Sequence, residues 1–543
     1  MRTGIFGVVG GKDGASFSCT PPVTSVEQHA FFETDSAIFA LHGLWLNSET
    51  KNWSKTSSKE LEPFASSANS FNSIDGPVQA FHYNTQTHEL SLHVDFARQQ
   101  TIFYYHDGNF FAFAPQMEQL SDLLKQNELT TSADPEAAAL LLSFASIPGD
   151  RTLIQGVRKL MPGHSLKFKN GKVEILDRNN LSQITRDLKN FDDAIDLVAN
   201  EFSKSTKQMC DTNTHLSTTQ LNLLSGGIDS RMVFFETKNY TDDIHTLCFS
   251  AKDYIDNKVS QKISNDFGAS YHFYDLQQGQ YMHNTSSALQ YDGTISYLAS
   301  SHHREVINTL NLENLGVVAG GAFGNELLSE DFYRPQASQA STLNSITTNQ
   351  EFRRYCSDST DTAWNENPES GIFKLTNRGF LYTNSGSYST HPHGVLHSPF
   401  TSQGFVKAAL SLHPDLLHDH HLYLEWMKRY HPEATNYTWE RYRTKPIRGL
   451  GLNTSKLKMK LLAKFIFPLT NFKGASMSPV QHWYNSSEQV QHLYNSTFDS
   501  KKNLLKTHLP ELAHAIISSF KTMNVTNKAS VLTLLIALDK YLD

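Results

Sequence analysis

The chain has 543 residues, 39% of them apolar and 19% charged, with a formal net charge of -7. That length is too great for a single hydrophobic core and predicts about two to four domains. The charge balance, with no long single-sign run, excludes a whole-chain electrostatic case for nucleic acid or an anionic membrane surface and leaves small-molecule or protein partners.

In chain order, the first part reads as β-rich. The runs GIFGVVGG, AIFALHGLWL, PVQAFHYN, ELSLHVDF, TIFYYHDGNFFAFAP and HSLKFKNGKVEIL are short, aromatic-rich and separated by turns such as HDGN and KNGK. This is hairpin spacing and predicts one antiparallel-sheet domain. DPEAAALLLSFA is a helix within it, with Asp134 as its cap and Pro135 at the first helical position. After ILDRNN, longer helical stretches alternate with the apolar strands LNLLSGG, IHTLCFS, SYHFYDL and LGVVAGG. Such alternation predicts a parallel sheet covered by helices on both faces, with the boundary near 177–190. Beyond residue 340 the strand signal fades, and NKASVLTLLIALDKYLD reads as a packed helix.

The four cysteines, Cys19, Cys210, Cys248 and Cys356, are scattered and form no CxxC pair. Neither a disulfide scaffold nor a zinc site is predicted from their spacing, and a reducing cytoplasmic location is expected. The opening MRTGIFGVVGGKDG is a poor signal peptide. No stretch approaches the ~18 apolar residues of a membrane span.

Within LNLLSGGIDSRMV the strand ends at Leu224, and Gly226 and Gly227 allow close backbone approach to a ligand. The helix that follows offers unpaired N–H groups and its positive dipole end, so phosphate or pyrophosphate is the expected guest. Ser225 and Ser230 add hydroxyl donors, and Asp229 is suited to hold a magnesium ion that touches the phosphates. There is no Walker lysine.

SGGIDS resembles the SGGxDS signature of the ATP pyrophosphatase superfamily, whose loop binds the pyrophosphate released as a carboxylate is adenylated. Other stretches resemble the asparagine synthetase family in its own order, over about residues 1–450. GIFG resembles its first strand, and DFARQQTIFYYHDGNFFAFAPQMEQL resembles DRFGxxPLYY followed by FASE. DPEAAALLLSFASIPGDRTLIQGVRKLMPGHSLKFKNGKVEI runs parallel to its linker region. TLCFSAKDYIDNKVSQKISNDFGASYHFY resembles the second strand, helix and LGxxHH strand of the synthetase domain. GVVAGGAFGNELL resembles SGxGGDELFGG, HSPF resembles RPFLD, and RYRTKP resembles RxKxG.

The resemblance implies an α/β plus α+β architecture: an Ntn-hydrolase-like αββα sandwich over 1–180, then a synthetase domain over 190–543. The second is of the adenine nucleotide α-hydrolase-like (PP-loop) type, with a helical C-terminal region. It assigns Leu223, Ser225, Gly226, Gly227, Asp229 and Ser230 to ATP and its pyrophosphate. It sets Phe249 against the adenine and Gly320 and Gly321 near the ribose or α-phosphate. Lys445 matches the lysine that stabilises charge developing in adenylation. ATP and Mg2+ are the implied cofactors, a carboxylate and an amine or ammonia the implied substrates, and a homodimer is compatible with it.

Several positions depart from the family pattern. Glutamine-dependent relatives begin Met-Cys-Gly, and the freed cysteine is nucleophile and base at once. Here Thr3 stands at that position behind Met1 and Arg2, and the Asn-Gly-Glu segment has no counterpart between ALHGLWLNSETKNW and DGPVQAF. Both losses predict a first domain without glutaminase activity, as in β-lactam synthetase and the lasso-peptide cyclases. The metal set becomes Asp229, Asn325 and Glu326, with Asn325 replacing an acid. Ala322 falls where asparagine synthetases carry a glutamate, and it cannot move a proton. A non-catalytic nucleotide-binding scaffold is the alternative that Asn325 and Ala322 favour.

The histidine clusters HPHGVLH (His391, His393, His397) and HDHH (His418, His420, His421) lack HExxH spacing and read as surface or loop residues. KLKMKLLAKFIF, residues 456–467, reads as a core-packed helix with snorkelling lysines.

Overall fold

A computed structural model describes residues 4–11, 14–20, 26–46, 56–299, 301–309, 314–330, 337–389, 393–465 and 476–542. Expectations for Met1, Arg2 and Thr3, for 47–53, for His391 and for Ile466 and Phe467 lie outside the described residues.

The first part contains eleven strands: β1 (Gly4–Gly11), β2 (Gly14–Thr20), β3 (Gln28–Glu33), β4 (Ala37–Gly43), β5 (Val78–Asn84), β6 (Leu90–Val94), β7 (Phe103–Asp107), β8 (Phe110–Ala114), β9 (Arg158–Lys159), β10 (His164–Lys169) and β11 (Lys172–Asp177). They form two antiparallel sheets, ordered β2-β1-β8-β7-β9 and β11-β10-β6-β5-β4-β3. Alternation decides which residues meet. Ile5, Val9, Phe111 and Phe113 of one sheet bury against Phe81, Leu92, Leu166 and Phe168 of the other. The opposite face of the six-stranded sheet buries Phe39, Leu41 and Val78 under α1 (Ser58–Ser66) and α2 (Ala68–Phe71). Val8, Ala112 and Ala114 bury against α3 (Met117–Gln126) and α4 (Pro135–Phe144). The result is the expected αββα sandwich. Asp134 caps α4 by accepting from Ala137 N–H at 3.0 Å, with Pro135 in the first turn.

The second part opens with the long helix α5 (Phe191–Leu216) and builds a five-stranded parallel sheet. Its strands are β12 (Thr219–Leu223), β13 (His245–Ser250), β14 (Ser270–Asp275), β15 (Leu315–Ala319) and β16 (Val395–His397), ordered β14-β13-β12-β15-β16. Between strands lie α6 (Ile228–Thr237) and α7 (Ile255–Asp266). The chain leaves β12 toward β13 on one side and later returns to β15 on the other. The carboxyl end of β12 is therefore a topological switch point, where α/β sheets open a crevice for ligands. The helix Val525–Tyr541 is buried along nearly its whole length and joins the core beneath the first sheet to that of the parallel sheet.

Three expectations are corrected. A strand, β16, exists beyond residue 340, and His397 on it is buried, its Nδ1 2.6 Å from Gln99 Oε1 of the sandwich. His420 is buried as well, whereas His418 is exposed. The helix Leu450–Phe465 buries Leu452, but the stretch from 456 onward is not core-packed: Leu457 and Leu461 are 60% and 49% exposed. The four cysteines are free thiols. Among the described residues no helix is long and apolar enough to cross a membrane.

Candidate active site

A cavity of about 510 Å³ lies at the carboxyl end of β12, within the range of small-molecule pockets. Leu223, Ser225, Gly227, Asp229, Ser230, Phe249, Gly321, Asn325 and Glu326 line it, so the structure brings these sequence-predicted residues together. Gly226, Gly320 and Lys445 are not among the lining residues.

The loop between β12 and α6 is held by its own polar groups. Ser225 N–H donates to Ser230 Oγ at 3.0 Å, Gly227 N–H to Ser225 Oγ at 3.1 Å, and Gly226 N–H to Asp256 Oδ1 at 3.1 Å. Asp256, on the first turn of α7, thus holds the loop from the neighbouring crossover. From the other side Arg231 enters, fully buried. Its Nη2 donates to Gly226 O at 3.0 Å and Thr438 O at 2.7 Å, and its Nη1 to Ala434 O and Tyr437 O at 3.0 Å each. One guanidinium therefore ties the loop to segment 434–438, after which Trp439, Glu440 and Arg441 form a further wall of the cavity.

The opposite wall descends from β15. An added Cβ at Gly321 would lie 2.4 Å from Ser230 N, so only glycine lets this loop touch the start of α6. Gly320 is different: its Cβ would meet the flexible tip of Leu396 at 3.1 Å, and its N–H donates to His397 O at 2.8 Å. It packs on β16 and does not face the cavity. Gly321→Ala is accordingly expected to destabilise the protein by about 3 kcal/mol, and Gly320→Ala by less than about 1 kcal/mol. Parallel denaturant titrations of the two variants measure this, and equal losses would contradict the assignment.

Asp229 occupies the centre. Its Oδ1 accepts from Tyr423 O–H at 2.6 Å and its Oδ2 from Asn325 N–H at 2.9 Å. Burial, and then the charge of Glu326, push its carboxyl above the ordinary range. Asn325 turns its side-chain oxygen toward His420 Nε2, 2.8 Å away, and meets Asp229 through its backbone N–H. Glu326 also lines the cavity, and its charge acts on Asp229. Asp256 is pushed up to about 7 by burial and by Glu440, whose Oε2 is buried without a hydrogen-bond partner. A cavity floor carrying Asp229, Asp256, Glu326 and Glu440 favours a divalent cation, and a polyphosphate would need that cation to enter. These residues fit magnesium and a phosphorylated ligand.

The far end is aromatic and apolar. Phe249 lies with its ring centroid 5.6 Å from His302 and 5.1 Å from His303, beside Leu223, Leu247 and Met477. Burial holds both imidazoles neutral, with His303 lowered to about 4. An aromatic, uncharged end of this kind suits a purine. Lys445 is exposed, one residue beyond Thr444, whose carbonyl accepts from Trp439 N–H at 2.7 Å. The Ala322 carbonyl accepts from Ser398 Oγ at 2.7 Å, and its side chain is exposed.

Sequence reasoning missed Arg231, Asp256, Tyr423, Glu440 and the His302–His303 pair. Arg231 carried a signal, as a charge embedded in the apolar run RMVFF. The others had none, since their roles depend on crossovers that bring distant segments to one strand end.

An Ntn-hydrolase-like sandwich joined to a parallel-sheet α/β domain of the PP-loop type, with the glycine loop at its switch point, defines a two-part synthetase architecture. Comparison with protein families agrees with this. Residues 68–179 match the model described as glutamine amidotransferase domain, and residues 205–445 match asparagine synthase. The chain belongs to the asparagine synthetase family, whose matched synthetase domain is that of ATP-dependent amide-forming ligases. No curated protein matches the chain.

Proposed function

We propose that the protein is an ATP-dependent carbon–nitrogen ligase that adenylates a substrate carboxylate, releases pyrophosphate, and transfers the acyl group to an amine or ammonia. The observation that carries this reading is the cavity at the end of β12, which joins the SGGIDS loop, the Asp229–Glu326 acid pair and the Phe249 slot. The functional units we assign are 1–180 and 190–543, acting in the cytoplasm.

In this reading Leu223, Phe249 and the neutral His302 and His303 hold the adenine, while Ser225, Gly227 and Ser230 face the departing pyrophosphate. Gly226 contributes loop shape, and Gly321 lets the β15 loop approach the α-phosphate. Asp229 and Glu326, with Asn325 beside them, hold magnesium, which when bound neutralises phosphate charge. Lys445 reaches the reacting carboxylate only if the segment after Thr444 folds inward, and Arg441, already on the cavity wall, supplies positive charge without that movement. Enclosure between cavity walls keeps water from the activated carboxylate. The glutaminase half-reaction is absent in this proposal, on the strength of Thr3 and the missing Asn-Gly-Glu segment.

A non-catalytic nucleotide-binding scaffold is the second reading, favoured by Asn325, whose side-chain oxygen is engaged with His420. Isotope exchange between pyrophosphate and ATP, run across a panel of amino-acid and peptide carboxylates, separates the two. The ligase reading expects exchange that requires one carboxylate class. ATP binding with no exchange for any member of the panel sinks it in favour of the scaffold.

A further inference from the structure

Away from the nucleotide cavity, three metal-type donors converge at one edge of the sandwich. Cys19 projects from β2, the edge strand of the five-stranded sheet, and His29 from β3, the edge strand of the six-stranded sheet. His42 lies on β4 directly opposite His29 in the antiparallel register. Alternation sends all three between the sheets: Cys19 sits across from Ile5, and His42 shares its strand face with Ala40, both neighbours belonging to the inter-sheet core. His42 is fully buried, and Cys19 and His29 are half-buried.

The geometry is close to that of a coordination sphere. One ligand atom from each residue lies within 4.8 Å of the other two, and Cys19 Sγ is 3.2 Å from His29 Nδ1. Tetrahedral zinc, with Zn–S of ~2.3 Å and Zn–N of ~2.0 Å, requires sulfur–nitrogen separations of ~3.5 Å. Small side-chain adjustments would therefore admit the ion without moving either sheet. Among the described residues this is the only group of three or more His, Cys, Asp or Glu side chains so arranged. Its donors are also soft, in contrast to the oxygen set at Asp229 and Glu326. Thiolate with imidazole selects zinc-type ions, whereas carboxylates select magnesium.

We propose that Cys19, His29 and His42 form a binding site for one zinc-type divalent cation, with two neutral imidazoles, one thiolate and the fourth position open to water. The thiol proton passes to solvent as the cation binds. Three protein ligands with an open position differ from a closed four-ligand structural site. The cation would also clamp β2 to β3, which belong to different sheets and share no hydrogen-bond ladder. Because β2 pairs with β1 from Gly4 onward, the clamp would also stiffen β1.

Titration of the full-length chain with Co2+ in excess Mg2+ tests the site. One equivalent is expected to bind with a thiolate-to-cobalt charge-transfer band in the near ultraviolet, and Zn2+ should displace it. Cys19→Ser should abolish the band, and His29→Gln, at the accessible edge, should weaken Co2+ affinity at least tenfold while retaining the circular dichroism of the parent. Absence of the band in the parent chain overturns the proposal. So does a band that survives Cys19→Ser, since it would belong to Cys210, Cys248 or Cys356, and so does unchanged affinity in His29→Gln.

Discussion

Asp229→Asn is expected to lower carboxylate-dependent ATP–pyrophosphate exchange by about 10²- to 10³-fold while leaving the metal-free protein no less stable than its parent. The carboxylate is the central acid of the cavity and is held on both oxygens, by Tyr423 O–H and Asn325 N–H. Asparagine keeps the shape and one of those two hydrogen bonds but removes the charge that would hold a cation. The lost hydrogen bond costs about 1 kcal/mol. A compensating gain comes from the ionisation that burial and Glu326 oppose in the parent. The sign follows from proton linkage. A carboxyl raised in the folded state binds more protons there than in the unfolded chain, so its contribution to stability declines as pH rises above the ordinary carboxylate range. That part of the pH slope should vanish in Asp229→Asn. Exchange and denaturant titrations at pH 5 and 8, without added metal, give both readouts. Exchange retained within tenfold of the parent would remove Asp229 from the proposed chemistry, and a collapse in stability would make its role structural.

What the sequence made legible followed from local pattern. Short, aromatic-rich runs separated by hairpin turns marked β1, β4 to β8, β10 and β11, and each of these strands contributes side chains to the core between the two sheets. The glycine loop was readable because a strand, two glycines and a helix start stand contiguous in LLSGGIDS. By contrast β16 is three residues long, buried, and set among histidines and prolines, so neither length nor alternation betrays it. Its His397 is buried because Gln99, almost 300 positions earlier, meets it from the sandwich. The helix Leu450–Phe465 shows the opposite failure: its leucines predicted burial, yet beyond Leu452 they stay largely exposed at Leu457 and Leu461. Gly320 and Gly321 are adjacent and chemically identical, yet only the second faces α6, a distinction that lies in the path of β15 and β16.

Arg231→Ala is expected to release segment 434–441 from the glycine loop and to abolish exchange without touching any group assigned to the reaction. The guanidinium is fully buried and donates to four backbone carbonyls, those of Gly226, Ala434, Tyr437 and Thr438. Burial lowers it to about 10 while Glu440 opposes that shift, so it stays a cation at neutral pH. Removing it strands those carbonyls and leaves Glu440 and Asp256 without their buried counter-charge, a loss of about 3–5 kcal/mol. In a chain of this size one global unfolding energy is poorly defined, so the local opening is the quantity to measure. Amide hydrogen exchange at Trp439 and Glu440, whose N–H groups are bonded to Thr444 O and Gly226 O, should accelerate by about two orders of magnitude or more. Arg231→Lys separates charge from geometry. Lysine keeps the cation but offers three donors from one point in place of a planar fork, so it should restore part of the protection and little of the exchange. Unchanged protection at Trp439 and Glu440 in Arg231→Ala would mean that the segment is held by its own packing, through Trp439 and Tyr437, and that the clamp is incidental.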